Sequence, residues 1–253
     1  MQTFTQRLAN PTQFMRLSAR LLPWVAGLAA AIIAYGLYLA FFVAPPDYLQ
    51  GEIARIMFVH VPSAWIAMAG YALIAVSAFG LLVFRHPLAD VSAKAAAPIG
   101  AAFTFLALFT GSLWGKPAWG TYWVWDARLT SVLILFFLYL GLIALRSSID
   151  DETLASKLTA ILALVGIVML PIIKFSVDWG NTLHQPSSVL KLSGPTIHSS
   201  ILTPLLVMGA GFLVLFVAMH LKAMRNEILR RRVKALQLAE VARAASQVVA
   251  PAE

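Results

Sequence analysis

Residues 58–84 read FVHVPSAWIAMAGYALIAVSAFGLLVF, a stretch with no acidic residue, lysine or arginine. About 20 predominantly apolar residues are enough for a helix to cross the roughly 30 Å hydrocarbon core of a bilayer. This run therefore predicts a membrane span. Working outward, five more runs meet the same condition, at about 21–43, 94–114, 129–146, 156–175 and 199–221. Pro171 and Pro204 interrupt the last two, and neighbouring helices can absorb such breaks. The whole chain of 253 residues is 60% hydrophobic and 12% charged, whereas a soluble domain is nearer half apolar and a quarter charged. The predicted fold class is all-α, a polytopic integral membrane protein with six transmembrane helices.

Orientation follows from lysine and arginine near the span ends, which favour the cytoplasmic side. With the N-terminus inside, the outer segments hold only Arg55, Lys116, Arg128, Lys174 and Lys191 of the 19 basic residues. Both termini are accordingly expected in the cytoplasm. The net charge of +8 then belongs to inner-leaflet anchoring rather than to a nucleic-acid surface. The basic run RNEILRRRVKALQ (225–237) suits anionic lipid at about 1 kcal/mol per charge, or a cytoplasmic partner. The expected organisation is one membrane domain over 1–222 and a basic cytoplasmic tail over 223–253, disordered at its end. Residues 1–20 are expected to lie along the inner surface. The first apolar stretch exceeds the 7–15 residues of a signal-peptide core, so a cleaved leader is not expected. With no cysteine, disulfides, thiolate metal sites and covalent haem attachment are excluded.

The outer segments carry the unusual residues. WGKPAWGTYWVWD (114–126) gathers Trp114, Trp119, Trp123 and Trp125 beside Asp126. An interfacial aromatic belt would enrich tryptophan on both sides, yet only Trp24 marks the inner one. If extended, the segment places Trp119, Trp123 and Trp125 on one face; if helical, Trp119, Tyr122, Trp123 and Asp126 share one. Gly115, Pro117 and Gly120 oppose a long helix before 120. Either geometry offers an apolar shelf for a large planar ligand. Asp126 precedes the fourth span, where aspartate is a good N-cap, and Arg128 lies close by.

Two segments repeat a pattern: VHVPSAW (59–65) and LHQPSSV (183–189) both contain His-x-Pro-Ser. Proline favours the first helical position and holds its predecessor extended. His60 and His184 are thus each expected just ahead of a helix, with a neutral imidazole able to bind metal. Haem iron has two axial positions on opposite faces, for which histidine is a common ligand. Cations at Arg55, Arg128, Lys116 and Lys191 lie on the same side for its propionates. His86 and His220 read as interfacial side chains, and His198 as structural.

WGTYWVWDARLTS (119–131) resembles the tryptophan-rich WWD signature of the haem-handling proteins of cytochrome c maturation. With six spans, a histidine before the second span and another in the last outer segment, the chain from about 20 to 222 is similar to the CcmC family. That resemblance implies b-type, non-covalent haem on the periplasmic side of a bacterial inner membrane. It implies His60 and His184 as axial ligands, and Trp114, Trp119, Trp123, Trp125 and Asp126 as the haem platform. Implied partners are a CcmE-like periplasmic haem chaperone, CcmA/CcmB-like ABC transporter subunits and a CcmD-like small membrane protein.

Two other classes compete with haem delivery. A haem permease would line its path with polar or ionisable groups at mid-membrane, and the spans contain almost none. A b-type haem or quinol electron-transfer subunit would need a second redox site, which would involve His86 and His220. No nucleophile–base constellation or phosphate-binding loop suggests an enzyme.

Overall fold

The computed structural model describes residues 10–178, 182–185, 188–189, 191 and 193–249, with side chains through 244. Helix α1 spans Pro11–Tyr38 and runs into a π-helical turn at Leu39–Val43. A 3-10 turn at Glu52–Ile56 leads into α2, Met57–Phe84. Then come α3 (Pro87–Trp119), α4 (Ala127–Ser148), α5 (Glu152–Gly166), α6 (Met169–Phe175) and α7 (Ser199–Val249). Helices α5 and α6 make one span between them, so six helical segments are long and apolar enough to cross a membrane. No β-strand occurs among the described residues.

The helices start and stop where local chemistry directs. Asn10 caps α1 by accepting from the Thr12 N–H at 2.9 Å, with Pro11 at the first helical position. Asp151 accepts from the Thr153 and Leu154 N–H groups at the start of α5. Between α5 and α6, Ile167 and Val168 form a turn three residues ahead of Pro171. Proline has no N–H to bond the carbonyl four residues back, and the Leu170 N–H serves Ile167 instead, at 3.0 Å.

Three expectations need correction. Residues 11–20 do not lie along the surface. They are the first turns of α1, and Ser18 is buried there. Arg225 of α7 holds them in place, donating to Met15 O at 2.6 Å and Ser18 Oγ at 3.0 Å. Secondly, α3 does not stop before Gly115 but continues through Pro117 to Trp119. The helix stops at Gly120, which takes the left-handed conformation (φ 78°) open to glycine and returns its N–H to Lys116 O at 2.9 Å. Thirdly, His60 is not ahead of a helix. It lies in the first turn of α2, and Pro62 sits inside that helix. The 3-10 turn at Glu52–Ile56 starts the coil before the proline is reached, and the Ser63 hydroxyl bonds Val59 O at 2.7 Å.

Packing places α2 against α3 and α1 against α7, with α4, α5 and α6 on the other side. Tyr71, Ala96, Leu135 and Tyr139 are fully buried where α2, α3 and α4 meet. Tyr139 donates to Ala67 O at 2.8 Å. A second cluster joins Phe58 and Ile66 of α2 to Phe103 of α3 and to Leu205, Met208 and Phe212 of α7. Helix α7 continues unbroken through residue 222 to Val249; residues 250–253, where disorder is expected, lie outside the described ones.

Candidate functional site

The C-terminal end of α3 is the frame of the site, because both His60 and His184 contact it. His60 reaches across from α2, with Nδ1 3.0 Å from Ala107 O and 3.2 Å from Thr110 Oγ1. A carbonyl only accepts, so Nδ1 carries the proton and Nε2 keeps its lone pair. The Thr110 hydroxyl spends its own proton on Leu106 O at 2.6 Å. Gly111 makes this approach possible: a Cβ there would lie 2.8 Å from His60 Cε1. One turn on, Trp114 meets the imidazole edge-on, with centroids 5.7 Å apart, and its indole N–H donates to Gln50 Oε1 at 2.6 Å.

His184 approaches the same helix end from the segment between α6 and α7. Its ring packs edge-on against Trp119 at 4.8 Å, and its Nδ1 lies 3.2 Å from Asp126 Oδ2. The Thr182 hydroxyl donates to that same oxygen. Asp126 Oδ1 accepts the Leu129 N–H at 2.7 Å, so the residue also caps α4, as expected. Burial alone would raise the Asp126 pKa, but the bonds from Thr182, Leu129 and His184 outweigh it and hold the carboxyl below its ordinary value. Burial lowers the His184 pKa more than Asp126 raises it, so the imidazole is neutral. An ionised carboxylate accepts only, which puts the proton on Nδ1 and leaves Nε2 open.

The indoles do not form one row. Trp114 flanks His60, Trp119 flanks His184, and Trp123 and Trp125 pair edge-on at 5.5 Å in the extended segment 123–126. Gly115 permits the fold-back, since a Cβ there would lie 3.1 Å from the Trp119 ring. Trp125 is largely exposed, and the buried Trp123 Nε1 has no hydrogen-bond partner among the described residues.

The candidate cations differ in what they already hold. Arg55 binds Glu52 and the Ala40 and Ala44 carbonyls that end the first span, the last at 3.0 Å. Lys116 donates to Gly120 O at 3.0 Å and lies over the Tyr122 ring. Arg128 forms no ion pair with Asp126; it donates to Lys174 O at 3.3 Å, and its Nε has no partner among the described residues. Residues 179–181 and 186–187, with Trp179 and the start of the short helix expected after Pro186, lie outside the described ones.

The family model described as heme exporter protein C, CcmC, matches residues 4–239. The chain belongs to the CcmC family. Heme exporter protein C of Bradyrhizobium diazoefficiens is 60% identical over 238 residues, covering 94% of this chain and 90% of that one. The Escherichia coli K12 protein of the same name is 47% identical over 223 residues, 88% and 90% of the two chains. A ccmC-like mitochondrial protein of Marchantia polymorpha, named for cytochrome c biosynthesis, is 47% identical over 208 residues, 82% and 88%. With six spans and these bacterial relatives, this CcmC-family chain is an integral protein of a bacterial inner membrane, of a family that handles haem.

Sequence reading missed four residues of this CcmC site: Gln50, Thr110, Gly111 and Thr182. Thr110 and Gly111 follow from helical spacing, since they precede Trp114 by one turn on α3. Gln50 and Thr182 come from non-helical segments, where no periodicity marks them.

Proposed function

We propose that this chain holds b-type haem at the periplasmic face through His60 and His184 and passes it to a CcmE-like haem chaperone. Both termini would then be cytoplasmic, with residues 1–222 as the membrane domain and 223–253 as its tail. The observation that carries the reading is the matched state of the two imidazoles. Each has Nδ1 tied to an acceptor and Nε2 open, and each is flanked by an indole at the outer end of α3. That is the arrangement needed to present two neutral nitrogens to one iron. When bound, haem would supply the planar cargo and the iron. The residues of the chain orient the imidazoles, offer indole edges to the macrocycle and leave the exposed Trp125 at the surface for an incoming acceptor. Arg128, with an unspent buried Nε, is the cation best suited to a propionate. CcmA/CcmB-like ABC subunits and a CcmD-like protein would complete the assembly, in which this chain binds and delivers rather than catalyses.

Permeation through this bundle alone is the weaker reading. Tyr71, Leu135 and Tyr139 are packed in its interior with no exposed surface.

The test is the absorption spectrum of the purified chain, oxidised and reduced. Wild type should show a low-spin, bis-histidine haem. His60→Ala and His184→Ala should each lose that signature and most of the haem. Full haem content with an unchanged spectrum in both variants would reject the assignment.

A further inference from the structure

The opposite end of the bundle, away from His60 and His184, contains an open cavity of about 640 Å³ lined by residues of α2, α3, α4, α5 and α7. Its throat is lined by alanines, among them Ala78, Ala93, Ala97, Ala155, Ala160 and Ala163. Protein interiors pack nearly as densely as organic crystals and contain few voids larger than a water molecule. Here alanines, together with Ile74, Leu81, Ile99, Leu142 and Ile143, leave a space within the range of about 300–1,000 Å³ that takes one small ligand.

The mouth has a different character. Lys94, Arg146, Arg230 and Lys234 line it together with Asp90, Asp150, Glu152 and Glu227. Three of these acids are already neutralised. Asp90 accepts from Arg146 through two bonds of 2.8 Å, and also from Arg231 and Ser156. Glu227 faces Lys94 at 3.0 Å, Arg230 at 2.9 Å and Arg231 at 2.8 Å. Glu152 holds Lys234 at 3.0 Å. Lys94 and Lys234 each spend one ammonium donor of three on these contacts. Arg230 commits Nε and Nη2 to Glu227 and leaves Nη1.

We infer that this cavity binds an amphipathic anion, with its apolar body in the alanine-lined throat and its anionic head on Lys94, Arg230 and Lys234. Basic pockets between transmembrane helices on the cytoplasmic side suit anionic phospholipid heads. A tetrapyrrole carrying carboxylates has the same chemistry. The site is separate from the pair His60 and His184, since neither they nor the residues that contact them line it, so it stands or falls independently of the haem assignment above.

The experiment uses the full chain in two arms. In the lipid arm, native mass spectrometry follows retention of phosphatidylglycerol against phosphatidylcholine. In the tetrapyrrole arm, haem is titrated into a His60→Ala/His184→Ala chain. Each arm compares Ala160→Phe, which fills the throat, with Lys94→Gln/Lys234→Gln, which weakens the mouth without changing packing volume. Preferential phosphatidylglycerol retention that falls at least tenfold in either variant supports the site with lipid as occupant. Residual haem binding that falls at least tenfold in either variant supports it with a tetrapyrrole. If Ala160→Phe does not fold, the mouth variant decides alone. Retention of both ligands unchanged in every folded variant, or no selective retention in the unaltered throat and mouth, overturns the inference.

Discussion

Asp126 performs two tasks with one carboxylate, one oxygen for the α4 cap and the other for His184. The tasks can be separated. Asparagine caps helices about as well as aspartate, whereas alanine costs about 1 kcal/mol. Asp126→Asn should therefore preserve the melting temperature and the haem content but remove the negative charge behind His184. On the proposed ligation by His184 the iron would receive less electron density, and the reduction potential should rise by roughly tens of millivolts, as read by redox titration. An unchanged potential would leave Asp126 as a cap only. At His60 the matching constraint is steric. Gly111→Ala would put a methyl group against the ring, and haem affinity should fall about 10–100-fold while the helix itself gains propensity. An equilibrium haem titration checks this. The residue types at these positions could be read from the sequence because histidine, tryptophan and aspartate announce their chemistry. Some of their supports could not: Gln50 serves Trp114 and Thr182 serves Asp126 across more than fifty residues of chain, from segments without periodicity.

At the level of elements, hydrophobic run length recovered all six spans, because the bilayer demands about 20 apolar residues whatever the packing. The ends were less legible. Pro62 and Pro117 argued for helix boundaries that α2 and α3 pass through. The reason is that a proline near a helix end forfeits only one backbone bond, while the turns on either side of it keep theirs. The residue that does end α3 is Gly120, through its positive φ. Gly120→Ala should destabilise the protein by about 1 kcal/mol, while Gly120→Asn should cost less, since asparagine tolerates the left-handed region better. Thermal unfolding in detergent would rank the two. Because the turn sets where Trp123 and Trp125 emerge, the alanine variant should also loosen the segment that carries them.

Across the whole molecule, the two ends of the bundle are built on different principles. The histidine end is aromatic, while the other end is tied by carboxylates. Asp90 joins four helical segments, meeting Arg146 of α4, Ser156 of α5 and Arg231 of α7 from its own place on α3. Removing one partner of a buried pair leaves an uncompensated charge and costs about 3–5 kcal/mol. Asp90→Ala should therefore lower the unfolding temperature far more than an exposed substitution such as Arg232→Ala. Truncation after residue 222 should do the same, whereas truncation after 236 should be mild, because Glu227, Arg231 and Lys234 are then kept. Helix α7 has 51 residues, about 76 Å at 1.5 Å per residue, more than twice the hydrocarbon thickness of a bilayer. A mast of that length, clasped about two-thirds of the way along by Asp90 and Glu152, cannot lean at its C-terminal tip without levering those ion pairs. A pull on the tip would thus reach the charged hub before it reaches Leu205, Met208 and Phe212, which pack α7 directly on the helix that carries His60.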